Sequence, residues 1–172
     1  MSAATYSALE RLRDGRPVKI RALRPDDKTD MLAAIERTGT ESLKRRFFVT
    51  KREFSEKETA FFMDVDFIKH VALVAEIEED GQPEIIGGCR YVVVESGEAE
   101  VAFTVVDAYQ GRGLGAILAR HLIGLAHAAG LKQLVADVLP GNAAMRKVLG
   151  KFRFRTARSL DPQVVRLTLP LK

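Results

Sequence analysis

Apolar and polar positions alternate along Glu98–Val106, with Val101, Phe103 and Val105 on one side and Glu100, Ala102 and Thr104 on the other, which predicts a strand with unlike faces. The period then changes. Leu114, Ile117, Leu118, Leu122, Leu125 and Ala126 recur at helical spacing and predict a helix buried along one side and ended by Gly130. Between them lies QGRGLG, Gln110 to Gly115, whose three glycines let the backbone turn sharply and come close to a ligand.

The rest of the chain divides by the same two periods. Residues 1–17 form an N-terminal arm with a short helix over Ser7 to Arg13, and residues 18–172 form one domain. Val18–Leu23 alternates as a first strand closed by Pro25, and Asp26 caps a helix from Asp27 to about Arg37 with Met31, Leu32 and Ile35 as its apolar stripe. A second helical piece, ESLKRRFF, starts at Glu41. It leads into a region rich in phenylalanine, with Phe47, Phe48, Phe54, Phe61, Phe62 and Phe67, which predicts packing and a candidate wall for an acceptor groove. Lys69–Ile77, Glu84–Val94 and Glu98–Val106 are joined by short connections, with EDGQP as the turn of the first and Ser96-Gly97 in the second, so they predict an antiparallel meander. Beyond the long helix come a strand over Lys132–Leu139, a Gly141-Asn142 cap, a short helix over Ala143–Leu149, and a closing hairpin of Phe152–Ala157 and Val164–Leu169. The expected class is α/β of the α+β type, a mixed and largely antiparallel sheet flanked by helices.

Composition narrows the function. The 172 residues are 47% hydrophobic, enough for one sizeable core. No apolar run reaches the roughly 18–20 residues that cross a bilayer, and the first residues lack a signal-peptide core, so a cytoplasmic protein with no membrane partner is expected. Cys89 is the single cysteine, and His70, His121 and His127 do not fall at metal-ligand spacing with it, so no metal site is expected. The net charge of +4 hides a division: nine Arg or Lys accompany the single Asp137 between Ala108 and Leu160, whereas thirteen carboxylates accompany Lys57, Lys69 and Arg90 between Glu53 and Glu100. The first stretch suits an anion and the second a cationic substrate. Nucleic acid is not the expected anion, because no recognition module and no basic groove interleaved with aromatics is present.

A strand, a glycine loop and a helix start together make an anion cradle, since free amides and the positive end of a helix favour phosphate. Arg112 is an additional candidate donor. Neither GxGxxG with a following acidic strand nor GxxxxGK[ST] occurs, which excludes a nicotinamide fingerprint and a P-loop.

AEVAFTVVDAYQGRGLG, the helix after it, LVADVL and PGNAAMRKVL together resemble the GNAT acyltransferase superfamily, and the likeness runs from VKIRALRPDD to VVRLTLPL. The chain looks most like the catalytic domain of bacterial protein lysine acetyltransferases. The resemblance implies acetyl-CoA as cosubstrate, with Gln110, Gly111, Arg112, Gly113, Leu114 and Gly115 cradling its phosphates and Val105 meeting the pantetheine arm. It also implies Asn142 beside the cofactor, Arg146 near a phosphate, and Glu100 as the base that takes a proton from the amine, with Glu98 in reserve. The tyrosine usual seven residues after the asparagine and the glycine usual before the last aromatic are replaced by Leu149 and Arg153, so departure of the thiolate falls to water, backbone or another group. The implied activity is direct acetyl transfer to a primary amine. The acceptor is a protein lysine, or in the alternative a polyamine or other small amine; a non-catalytic acyl-CoA-binding module is a further alternative. Oligomeric state stays open, a homodimer included.

Overall fold

In a computed structural model that describes residues 2–39 and 55–172, eight strands form one sheet in the order β1-β2-β3-β4-β5-β6-β8-β7. The central meander is β3 (His70–Glu79), β4 (Gln82–Glu95) and β5 (Glu98–Val105), paired antiparallel as their short connections require. On one flank β2 (Pro17–Ala22) pairs with β3 and β1 (Ser7–Arg11) with β2. On the other, β6 (Gln133–Val138) runs parallel to β5, and β7 (Arg155–Ala157) and β8 (Val165–Pro170) close the sheet as a hairpin, with β7 shorter than the expected Phe152–Ala157 because Phe152 and Arg153 close the helix before it and Arg153 takes φ +71°.

The helix expected over Ser7–Arg13 is corrected to strand β1. Its composition, Ala, Leu, Glu and Arg, favours a helix in isolation. Pairing with β2 overrides that preference, from Ser7 opposite Arg21 to Arg11 opposite Pro17. Here the carboxylate of Glu10 points inward to Arg120 (2.8 Å) and His121 (2.7 Å), whereas Leu9 is 79% exposed.

Four helices flank the sheet among the described residues: α1 (Lys28–Glu36), α2 (Glu56–Met63), α3 (Leu114–Ala128) and α4 (Ala143–Lys151). Helix α1 starts later than the sequence suggests, because Pro25–Asp27 forms a 3-10 turn, and Asp27 rather than Asp26 stands at its cap position. The Asp27 carboxylate accepts from Arg21 (2.8 and 2.9 Å) and from the Arg24 amide (2.6 Å). The segment from Glu41, with Phe47, Phe48 and Phe54, lies outside the described residues. Of the other phenylalanines, Phe61 stacks on His70, half exposed, and Phe67 packs against the core.

Helix α3 buries Leu114, Leu118, Leu122 and Ala126 against the meander, with Ile117 and Leu125 half-buried beside them. It stops where Gly130 takes φ +79°: the Gly130 amide bonds to His127 O (3.0 Å) and the Leu131 amide to Ala126 O (3.1 Å), a Schellman closure. Register fixes the two faces of the sheet. Cys89 pairs with Phe103 and its Sγ meets the Leu118 carbonyl, so odd-numbered residues of β5 look toward α3. Glu100, Ala102 and Thr104 therefore look to the opposite face, where α1 packs. No described helix is long and apolar enough to cross a membrane.

Candidate active site

Strands β5 and β6 are hydrogen-bonded neighbours only over Glu98–Gln133, Ala99–Leu134 and Glu100–Val135. Beyond Glu100 they part. A cleft of about 420 Å³ opens in the fork, walled by Val101–Val105 of β5, Ala136–Val138 of β6, the glycine loop, the first turn of α3 and part of α4. Glu100 is thus the last residue of β5 paired with β6, and it is exposed at the cleft.

The loop at the base of the cleft owes its shape to glycine. Gly111 and Gly113 take φ +75° and +87°, a region that side chains with a Cβ adopt only at a cost. A Cβ on Gly111 would meet nothing within 4 Å, so bare backbone faces open space there. Gly113 is the residue before α3, and the Ile117 amide donates to its carbonyl (3.2 Å). The amides of Leu114, Gly115 and Ala116, all lining the cleft, have no carbonyl one turn earlier within the helix. Those amides and the helix dipole fit the diphosphate of a coenzyme A ester.

The structure gathers Glu100, Val105, Gln110, Gly111, Gly113, Leu114, Gly115 and Asn142 around the cleft. Gln110 Nε2 donates to Val105 O (3.1 Å), tying the loop to the strand end. Asn142 Oδ1 accepts from the Met145 amide (3.2 Å), capping α4 at the cleft wall. Three other candidates are not among the lining residues. Glu98 accepts from Gln133 Nε2 (2.8 Å), Arg112 pairs with Asp14 (3.0 Å), and the exposed Arg146 reaches the Pro140 carbonyl at 3.4 Å. The lining also includes Arg13, Lys147 and Lys151, which the sequence reading did not name. Lys147 and Lys151 stand one helical turn apart after Asn142, a spacing visible in the sequence; Arg13 carries no such signal.

Leu149, where the family's tyrosine is usual, is fully buried at the cleft wall. Tyr109 also lines the cleft, but its hydroxyl donates to Glu79 (2.9 Å) and accepts from Arg16 (3.1 Å), and burial foremost pushes its pKa up. Burial likewise pushes the Cys89 thiol well above its ordinary range, which disfavours a nucleophilic thiolate.

A second, mostly apolar cavity of about 80 Å³ lies on the α1 side, walled by Met31, Ala34 and Ile35 of α1, Phe62, and the meander. Ala102 and Thr104 border both cavities, so β5 is the partition between them. Arg90 stands in this wall, donating to Phe62 O (3.0 Å) and contacting His70 Nε2 (2.9 Å). Burial, with the Arg90 charge, holds the His70 imidazole below its ordinary pKa.

Residues 18–155 match the family described as Acetyltransferase (GNAT) domain. The chain is 36% identical over 154 residues to Acetyltransferase PA5475 of Pseudomonas aeruginosa, covering 89% of this chain and 83% of that protein. It is 33% identical to Acetyltransferase Pat of Mycolicibacterium smegmatis over 81% of this chain but 42% of that longer protein. Among solved structures it resembles the GNAT domain of S. lividans PAT with a TM-score of 0.88 and 34% identity, over 96% of this chain and 97% of that one. A cAMP-binding acyltransferase from Mycobacterium smegmatis matches with a TM-score of 0.66 and 30% identity; this chain spans 49% of its length.

Proposed function

The chain belongs to the GNAT acetyltransferase family and is related to bacterial protein acetyltransferases such as Pat, and from that premise we propose that it transfers acetyl from acetyl-CoA directly to a primary amine, with a protein lysine as the acceptor. The observation that carries this reading is the fork of β5 and β6, which has free helix amides at its base and a carboxylate, Glu100, at the last paired position.

Bound acetyl-CoA supplies the activated acetyl thioester. The amides from Gly111 to Ala116 hold its diphosphate, and the β5 edge near Val105 directs the thioester arm toward Glu100. An alkylammonium is charged near neutral pH and must lose a proton before its nitrogen can attack. Glu100 accepts that proton, directly or through water. The C–N bond formed replaces the C–S bond broken, the nitrogen releases its second proton to solvent to leave the neutral amide, and the departing sulfur is protonated by solvent, since the buried Leu149 supplies no acid there.

The acceptor approaches from the α1 side of β5, the side on which Glu100, Ala102 and Thr104 project. The carboxylate-rich stretch before Glu100 also suits a polyamine, so acceptor class is decided by product. Incubation with acetyl-CoA and either a lysine peptide or spermidine, followed by mass spectrometry, should give N-acetyl-lysine as the faster product. Faster acetylation of spermidine would contradict the protein acceptor. Binding of acetyl-CoA without transfer to any amine would contradict the enzymatic reading.

A further inference from the structure

Arg13 stands on the turn between β1 and β2, 97 or more positions before the glycine loop in sequence yet against it in space. Its amide donates to Arg112 O (3.0 Å), fastening the turn to the loop. Its side chain passes Gly113 so closely that a Cβ on that glycine would lie 3.3 Å from both Arg13 Cγ and Nε. Leu12, 3% exposed, anchors the turn in the core, and bonds from the Leu12 amide to Arg16 O and the Gly15 amide to Leu12 O (both 2.9 Å) hold its shape.

The neighbouring arginines are engaged. Arg11 donates to Gly15 O (2.8 Å), Arg16 pairs with Glu79 (2.6 Å), and Arg112 pairs with Asp14 (3.0 Å). Arg13 has no side-chain hydrogen bond or ion pair among the described residues, and it lines the cleft. A guanidinium left without a carboxylate, beside helix amides that lack acceptors, is a second cationic element aimed at the same anion.

We propose that Arg13 is a phosphate-binding residue of the cleft, contacting the coenzyme A diphosphate at Gly113 and making the β1–β2 hairpin part of the cosubstrate site. The proposal rests on the reading of the cleft as an acetyl-CoA site. It assigns Arg13 to the diphosphate rather than the 3′-phosphate, because its Nε stands against the residue that opens α3.

Calorimetric titration of the whole chain with CoA and with 3′-dephospho-CoA tests it. Arg13→Gln, which keeps most of the stem beside Gly113, should weaken both ligands by roughly tenfold, as loss of one charge-assisted contact would. Arg13→Lys should recover part of the loss, and raising the salt concentration should weaken wild type more than Arg13→Gln. Equal affinity of wild type and Arg13→Gln for both ligands would overturn the proposal. So would a loss seen with CoA and absent with 3′-dephospho-CoA, which would move the contact to the 3′-phosphate. If the wild-type chain binds neither ligand, the acetyl-CoA reading falls and this inference with it; if wild type binds and Arg13→Gln binds equally, this inference alone falls. Matched melting temperatures of the variants separate lost contact from lost fold.

Discussion

Arg112 Nη1 lies 3.0 Å from Asp14 Oδ2, so the guanidinium carried by the glycine loop is held to the β1–β2 turn, with the Tyr109 ring centroid 5.1 Å from its Cζ. The phosphate role that the sequence suggests for Arg112 therefore competes with a partner already in place. Both side chains are about two-fifths exposed, a setting in which an ion pair contributes at most about 1 kcal/mol.

Arg112→Ala should accordingly change CoA affinity by less than about threefold, the equivalent of well under 1 kcal/mol. Calorimetry on the folded variant checks this. A loss of tenfold or more would mean that Arg112 leaves Asp14 to meet the ligand.

Arg153 occupies the left-handed region, φ +71°, where the family pattern has glycine. Its amide bonds to Gly150 O (3.0 Å) and the Phe154 amide to Leu149 O (3.1 Å), so it is the left-handed residue that closes α4. Arg153→Gly should leave stability unchanged or raise it by up to about 1 kcal/mol, while Arg153→Val should lower it by about 1–2 kcal/mol. Denaturant titration reads the difference. A valine variant as stable as the glycine variant would refute the backbone explanation.

The meander, α3 and the glycine loop were legible because their signals are local: period-two alternation, period-3.6 recurrence, and glycines at the turns. Strand β1 was not, because its inward Glu10 is matched by Arg120 and His121 on α3, more than a hundred residues away, and Leu9 faces out. Candidate residues on the glycine loop shared this local logic, whereas Arg112 and Glu98 carry the expected chemistry but are held by Asp14 and Gln133. Which residues line a cleft depends on chain segments meeting across the fold. Arg13 is the case in which no sequence pattern precedes that meeting.

Arg21 is 6% exposed and lies between Asp27 (2.8 Å) and Glu76 (2.7 Å). Burial alone would raise the Asp27 pKa; bonds from Arg21 and the Arg24 amide outweigh it and hold the carboxyl below its ordinary value. Asp27→Ala should cost about 3–5 kcal/mol, because it leaves a buried guanidinium short of a partner. A folded-state pKa below the unfolded one gives stability that is present above the unfolded value, about 3.9, and lost as pH falls through the folded value. Acid unfolding of the wild type should therefore include this loss at and below about pH 4, and Asp27→Asn should lack it. Superposable acid-unfolding curves would contradict the assignment.

Cys89→Ala should keep most of the wild-type turnover, since the buried thiol faces the Leu118 carbonyl at 3.8 Å and its raised pKa suppresses the thiolate. Any fall should follow stability, by about 1 kcal/mol of lost packing. Rapid-quench mass spectrometry that finds acetyl on Cys89 at a competent rate would overturn direct transfer.

The most direct test is the pH profile of Glu100→Gln at saturating acetyl-CoA and saturating lysine peptide, with melting temperature and acetyl-CoA affinity matched to wild type. Glu100 stands where β5 leaves β6, and as the proton acceptor it is needed most where the amine arrives charged. Glu100→Gln should reduce kcat by about 10²–10⁴-fold near neutral pH, with the deficit narrowing as pH approaches the amine pKa and KM little changed. Wild-type kcat from pH 6 to 9, or a rise in KM alone, would contradict Glu100 as the base.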